Sequence, residues 1–377
     1  MTPCPDDPPA PRHPPPRRRR TPRHRIGEGT AMGSRTLDRE SDEASEVLAR
    51  TRRVVDPVLR AAVHSLPGTM RRIASYHFGW EEADGTPAHG DPGKAIRPAL
   101  VLAAAQALGG SAEQAVHAAA AVELVHNFTL LHDDVIDRDA TRRHRPTAWS
   151  VFGSADAILA GDALHALALR ILARDPHPAG AAAAARLADC VIELCEGQHA
   201  DCAFEKRSDV TLAECLAMAE SKTGALLGCA CALGALYAGA DPEAADALDA
   251  FGRRTGLAFQ LIDDLIGIWG DPKTTGKPVG SDLAARKKSL PVVSALRSGT
   301  PAAAELAALY AAGRPLDEAE LLQAASAVDR AGGRDWAQTE ACDRMAAAMD
   351  HLARAVPDPA AAGDLLTLAE LVTRRNR

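Results

Sequence analysis

Aromatic side chains are scarce. Phe, Tyr and Trp together make up 3% of the 377 residues, although 46% are hydrophobic. An apolar fraction built from Ala, Leu and Val rather than rings favours helices over a β-sandwich or barrel. No alternating strand run of convincing length and no fixed-period repeat is present. None of the eight cysteines forms a CxxC pair: Cys190 and Cys195 are too isolated for a zinc site, and Cys229-Ala230-Cys231 lies in an apolar run. Reduced, buried thiols in a cytoplasmic protein are expected. The longest apolar run, Gly224 to Ala240, is shorter than a bilayer span and rich in Gly and Ala, so a closely packed buried helix is expected there and no transmembrane segment. No secretory signal is visible. A net charge of −7 gives no reason to expect nucleic acid as a partner.

Residues 1–40 form a Pro- and Arg-rich stretch that cannot bury a core, and a disordered, solvated tail is expected. A contact with nucleic acid or anionic lipid is the alternative for Arg17 to Arg20, and a start of translation at Met32 would leave that stretch unmade. From Ser41 onward the apolar period is helical throughout. Ala115–Asp137, Ala155–Arg174, Ala181–Ala203, Leu212–Ala238, Ala244–Trp269 and Leu290–Ser298 each read as helix. Breaks fall at Asp91-Pro92-Gly93, Asp175 to Pro178, Asp241-Pro242 and Gly270 to Gly280. With no linker after residue 41, residues 41–377 are expected to form one all-α domain.

Two acidic clusters stand about 130 residues apart on such helices: Asp133-Asp134-Val135-Ile136-Asp137 and Asp263-Asp264 after Gln260. Carboxylates at i, i+1 and i+4 project from one side of a helix. Packing them in apolar sequence is costly unless positive charge neutralises them. Mg²⁺ takes hard oxygen ligands and often bridges carboxylates to substrate phosphates, so two facing clusters would make a diphosphate clamp. An acidic last helical turn exposed to water is the plainer reading of the first cluster, but the helix dipole disfavours acids there. Cations follow at once, at Arg138, Arg142, Arg143 and Arg145. Lys94 and Arg97 open another helix, where backbone N–H groups add to anion affinity, and Lys277, Lys287 and Lys288 follow the second cluster.

These motifs, in this order, resemble the trans-isoprenyl diphosphate synthases (polyprenyl synthetase family), and most closely the short-chain geranylgeranyl diphosphate synthases. The resemblance runs from about Pro92 to Pro291, over Gly93-Lys94…Arg97-Pro98, Asp133 to Asp137, Arg142-Arg143…Pro146-Thr147, Gly161-Asp162, Gly197-Gln198…Asp201, Lys222-Thr223-Gly224, Phe259-Gln260…Asp263-Asp264, Gly276-Lys277, Asp282-Leu283 and Lys287…Leu290-Pro291. Four positions depart from the family pattern: Pro92, His144 and Arg286 replace glycines, and Gly267 stands where the second motif usually ends in Asp.

The resemblance implies an isoprenoid-synthase-type bundle of helices around a central cavity, working as a homodimer. It implies a head-to-tail, trans condensation of isopentenyl diphosphate with an allylic diphosphate. Roughly two to three Mg²⁺ ions would be held by Asp133, Asp137 and Asp263, with Asp134 and Asp264 in support. Arg142, Lys222 and Lys277 would neutralise the departing diphosphate, and Thr223 and Gln260 would lie near the allylic cation. Isopentenyl diphosphate would bind through Lys94, Arg97, His126 and Arg143; His126 taken alone reads as a satisfied core histidine. Phe128 and Thr129 lie roughly 6 to 8 Å below Asp133 along the helix, and their pairing resembles that of enzymes that stop at geranylgeranyl diphosphate. Farnesyl diphosphate is the alternative product. A class I terpene cyclase is a further alternative, disfavoured by the basic residues and the shortage of rings. So is a non-catalytic partner subunit, disfavoured by the retained acids.

Overall fold

The computed structural model describes residues 29–91, 93–270 and 280–373. Its helices are α1 (Gly29–His64), α2 (Gly68–His77), α3 (Ile96–Ala107), α4 (Ala112–Ile136), α5 (Ala148–Phe152), α6 (Ser154–Ala173), α7 (Gly180–Phe204), α8 (Leu212–Ala219), α9 (Ala225–Tyr237) and α10 (Pro242–Trp269). After them come α11 (Ser281–Ala284), α12 (Leu290–Arg297), α13 (Pro301–Ala311), α14 (Glu318–Arg330), α15 (Gly333–Ala355) and α16 (Gly363–Thr373). Two two-residue strands, β1 (Thr141–Arg142) and β2 (Arg145–Pro146), make the one small sheet among the described residues, so the fold is all-α as expected. Ser41–Arg377 forms one compact unit; the other unit, Met1–Glu40, is described from Gly29 as the start of α1. Of the expected tail, residues 1–28 lie outside the described residues.

Local signals set the helix boundaries. Ser111 caps α4 by accepting from Gln114 N while the Gln114 side chain accepts from Ser111 N. Asp241 caps α10 at Ala244 N (2.8 Å), with Pro242 in the first turn, where its missing N–H costs nothing. Against the one helix expected over Leu212–Ala238, the chain makes α8 and α9 separated by a π-helical turn, Glu220–Gly224. Such a turn absorbs an extra residue in the helix and is frequent at functional sites. Here it carries Lys222 and Thr223.

The core is close-packed alanine and leucine. α4 packs on α6, α3 on α9, and α10 on α9 and α15. Ala118 to Ala121 on α4 are fully buried, and their small side chains let backbones approach. The run read as a packed buried helix is α9, buried at every position but Leu236. A Cβ on Gly234 would meet the Val101 carbonyl oxygen of α3 at 2.3 Å, so only glycine allows that contact. Each fully buried Leu, such as Leu124 or Leu233, contributes about 2 kcal/mol through burial. No helix among the described residues is long and apolar enough to cross a membrane.

Candidate active site

Helix α4 delivers the first acidic cluster at its C-terminal end and divides it. Successive residues on a helix are about 100° apart, so Asp133 and Asp134 face different ways. Asp134 turns inward and is 1% exposed, accepting from Arg142 Nε at 2.8 Å. Its other oxygen, Oδ2, is buried without a hydrogen-bond partner. Burial pushes its carboxyl up to about 6 against the pull of Arg142. Asp133 stays partly open and Asp137, one turn on, is exposed. Burial also raises Asp133; Lys222 opposes this, and the charge of Asp137 adds to it.

Helix α10 divides the second cluster in the same way. Asp263 is exposed and Asp264 is buried. Asp264 Oδ1 accepts from Gln260 Nε2 and Oδ2 from the Leu290 backbone N–H, each at 2.8 Å, so this carboxylate caps α12. Burial pushes it up to about 7, opposed by the Leu290 and Gln260 donors and reinforced by Asp282. Thr223 Oγ1 donates to Gln260 Oε1 at 2.7 Å, tying the π-helical turn to α10.

Two residues outside the expected site join the halves. Lys222 Nζ donates to Asp201 Oδ2 at 2.5 Å. The approach needs Gly197, where a Cβ would lie 2.6 Å from Lys222 N. Lys287, although crowding opposes its charge, is held cationic by Asp282, Asp201, Asp264 and Asp137 in that order. Acids of both clusters thus bear on one ammonium. Asp201 and Lys287 both stood in the quoted motifs; what the sequence did not show was that Asp201 bonds Lys222. Lys277 lies outside the described residues.

The basic side adjoins the first cluster. Arg142 and Arg143 sit on the β1–β2 hairpin, whose two turn residues, Arg143 and His144, have φ of 50° and 60°. A two-residue turn of this kind favours Asn-Gly, so side chains here carry a strain that the family's glycine would spare. Arg143 donates to the Asp91 carbonyl (3.2 Å), and Arg52 of α1 to that of Gly93, fixing the loop that carries Lys94. Arg97 at the start of α3 lies 3.2 Å from His126 Nε2. Burial, then Arg97, Arg143 and Arg142, drive His126 well below its usual value. A neutral ring accepting at Nε2 carries its proton on Nδ1.

Phe128 and Thr129 lie on α4 below these groups. The Phe128 ring stacks on His165 of α6 (5.2 Å, 20°) and meets His132 edge-on (4.9 Å, 83°). Thr129 Oγ1 donates to the His126 carbonyl at 2.8 Å.

His77 adds a pH-sensitive element behind the basic side. Burial, then Arg143 and Arg142, hold it down to about 3, and its Nε2 has no partner. The unfolded chain takes up this proton near pH 6.5 and the folded one does not. Its contribution to stability is therefore whole above pH 6.5 and is lost as pH falls toward 3. Relative to a His77→Gln variant, the native chain should lose about 2 kcal/mol between pH 7 and pH 5 in urea unfolding. Equal losses in the two proteins would show that His77 is protonated in the fold.

A helical bundle that carries two carboxylate clusters, with Lys222 bonded to Asp201 and Arg142 to Asp134 beside them, has the groups that an enzyme handling diphosphates needs. Residues 88–328 match the family model described as polyprenyl synthetase. The chain is 51% identical over 336 residues to geranylgeranyl diphosphate synthase of Mycobacterium tuberculosis (89% of this chain, 95% of that one). It is 45% identical over 342 residues to (2E,6E)-farnesyl diphosphate synthase of the same species (90% and 95%). The crystal structure of polyprenyl synthetase from Streptomyces coelicolor A3(2) superposes with a TM-score of 0.84 at 45% identity, covering 87% of this chain and 99% of that one. The chain belongs to the polyprenyl synthetase family.

Proposed function

We propose that this chain joins isopentenyl diphosphate head-to-tail to an allylic diphosphate, in the trans geometry, and makes geranylgeranyl diphosphate. The observation that carries this reading is the pair of bonds made by the π-helical turn, Lys222 to Asp201 of α7 and Thr223 to Gln260 of α10, one helical turn before Asp264. The relatives named for geranylgeranyl and farnesyl diphosphate synthesis support the activity, and the bulky Phe128 followed by Thr129 favours the longer product.

The residues fit Mg²⁺. No group of three or more His, Cys, Asp and Glu among the described residues is close enough to cage an ion by itself. Mg²⁺ needs no such cage, because it keeps waters and shares one or two carboxylates with substrate phosphates. The unpaired Asp134 Oδ2 marks a carboxylate short of positive charge. Asp133, Asp137 and Asp263 would hold the ions, with Asp134 and Asp264 behind them. Bound there, Mg²⁺ supplies Lewis-acid stabilisation of the charge that builds on the departing diphosphate.

The chain's own groups do the rest. Lys222, Lys287 and Arg142 add fixed positive charge at the leaving group. Thr223 and Gln260, bonded to each other, would lie near the allylic cation. Lys94, Arg97, His126 and Arg143 orient isopentenyl diphosphate so that its double bond attacks that cation, and proton loss completes one extension. Exposed Ile158 and Leu159 on α6, with Ile192 on the adjoining α7, support a homodimer. The unpaired thiols of Cys190, Cys215, Cys229 and Cys231 suit the reducing cytoplasm as its location.

Mass analysis of products from isopentenyl diphosphate and each short allylic primer, with and without Mg²⁺, tests the proposal. Geranylgeranyl diphosphate formed only with Mg²⁺ is expected. Turnover of an allylic diphosphate alone to a hydrocarbon would sink it.

A further inference from the structure

Gly267 lies one helical turn after Asp263 on α10, where a side chain would point into the acidic cleft's second side. A Cβ built there would sit 2.2 Å from Asp282 Oδ2, 2.6 Å from its Cγ and 3.0 Å from its Oδ1. The whole carboxylate of Asp282 therefore packs against the bare backbone of residue 267. Asp282 belongs to α11, the short helix after residues 271–279. Its backbone is fixed: the Asp282 carbonyl accepts from Lys287 N at 2.9 Å. Ser281 Oγ lies 3.5 Å from Oδ1.

We infer that Asp282 supplies the second side's third carboxylate, reaching from α11 into the space that residue 267 leaves open, and that Gly267 is the residue that admits it. The metal-holding acids of this side are then Asp263 and Asp282, with Asp264 spent on capping α12. This inference rests on the Mg²⁺–diphosphate reading of the cleft. It differs from a purely structural role for Asp282 in one respect: disturbing the contact must change metal affinity while the fold stands.

The test uses thermal unfolding of the full chain with Mg²⁺ titrated at fixed inorganic diphosphate. The readout is the Mg²⁺ concentration giving half of the ligand-induced rise in Tm. Without ligand, Gly267→Ala is expected to unfold no lower than the native chain, because alanine is the better helix former and a terminal carboxylate can swing aside. Its Cβ displaces that carboxylate, so the Mg²⁺ requirement should rise about 10-fold. Asp282→Asn, which keeps the shape and removes the charge, should rise by a similar factor. The double variant should be no worse than Asp282→Asn alone, since both changes act through one contact. A native Mg²⁺ requirement in either single variant, or a double variant whose factors multiply, would overturn the inference. No Mg²⁺-dependent shift in the native chain would instead overturn the reading of the cleft on which it stands.

Discussion

Asp133→Ala is expected to lower kcat/KM for prenyl transfer by about 10³-fold, equivalent to about 4 kcal/mol of transition-state stabilisation. Asp133 is the partly open member of the first pair. It lies near Lys222 and Asp137, and no hydrogen bond holds it in the core. Its loss should spare the fold and remove charge where the leaving diphosphate must be gripped. Asp134→Ala should behave differently. It strips the buried partner from Arg142, bonded at 2.8 Å, and the guanidinium is about one-third exposed, which softens the penalty to about 2 kcal/mol of stability. Steady-state kinetics at saturating Mg²⁺, set beside urea unfolding, separate the two. Activity of Asp133→Ala within about 10-fold of native would remove Asp133 from the metal site.

That division between neighbouring aspartates shows what the sequence could carry. Spacing along one helix is legible because 3.6 residues make a turn, which relates Asp133 to Asp137; the expectation that Asp134 projects from the same side fails, because successive residues stand about 100° apart and Asp134 turns into the core. The helical domain was legible for the same reason, from apolar periodicity in α4, α6, α7, α10 and α12. Contacts between helices were not. The bond of Lys222 to Asp201 spans 21 residues and depends on how α7 packs against a π-helical turn. In an Ala- and Leu-rich stretch one extra residue leaves no gap in the apolar pattern, so that turn passed unseen. Whether Asp264 faces the cleft or the core depends on the Leu290 N–H, 26 residues on. The family resemblance brought the motifs to one site, and geometry then separated the acids that face the cleft from those that hold the helices.

Phe128→Ala is expected to shift the product from geranylgeranyl diphosphate to one or more five-carbon units longer. Phe128 stands five residues before Asp133, about 7.5 Å along α4 at 1.5 Å per residue. A growing chain anchored by its diphosphate at the first acidic cluster and running down α4 would meet this ring first. The ring is held: it is 8% exposed, stacked on His165 and edge-on to His132, so it cannot swing aside as an unpacked side chain would. Below it, Val125, Val122 and Ala121 are small and fully buried and present no comparable barrier. Truncation costs about 3 kcal/mol of stability through the cavity it leaves, so products should be compared at temperatures well below the variant's Tm. The same cavity would be the room into which a longer chain extends, which would tie loss of stability and gain of length to one set of atoms. An unchanged product distribution from a folded, active Phe128→Ala variant would mean that another helix sets the floor and that Phe128 is core packing alone.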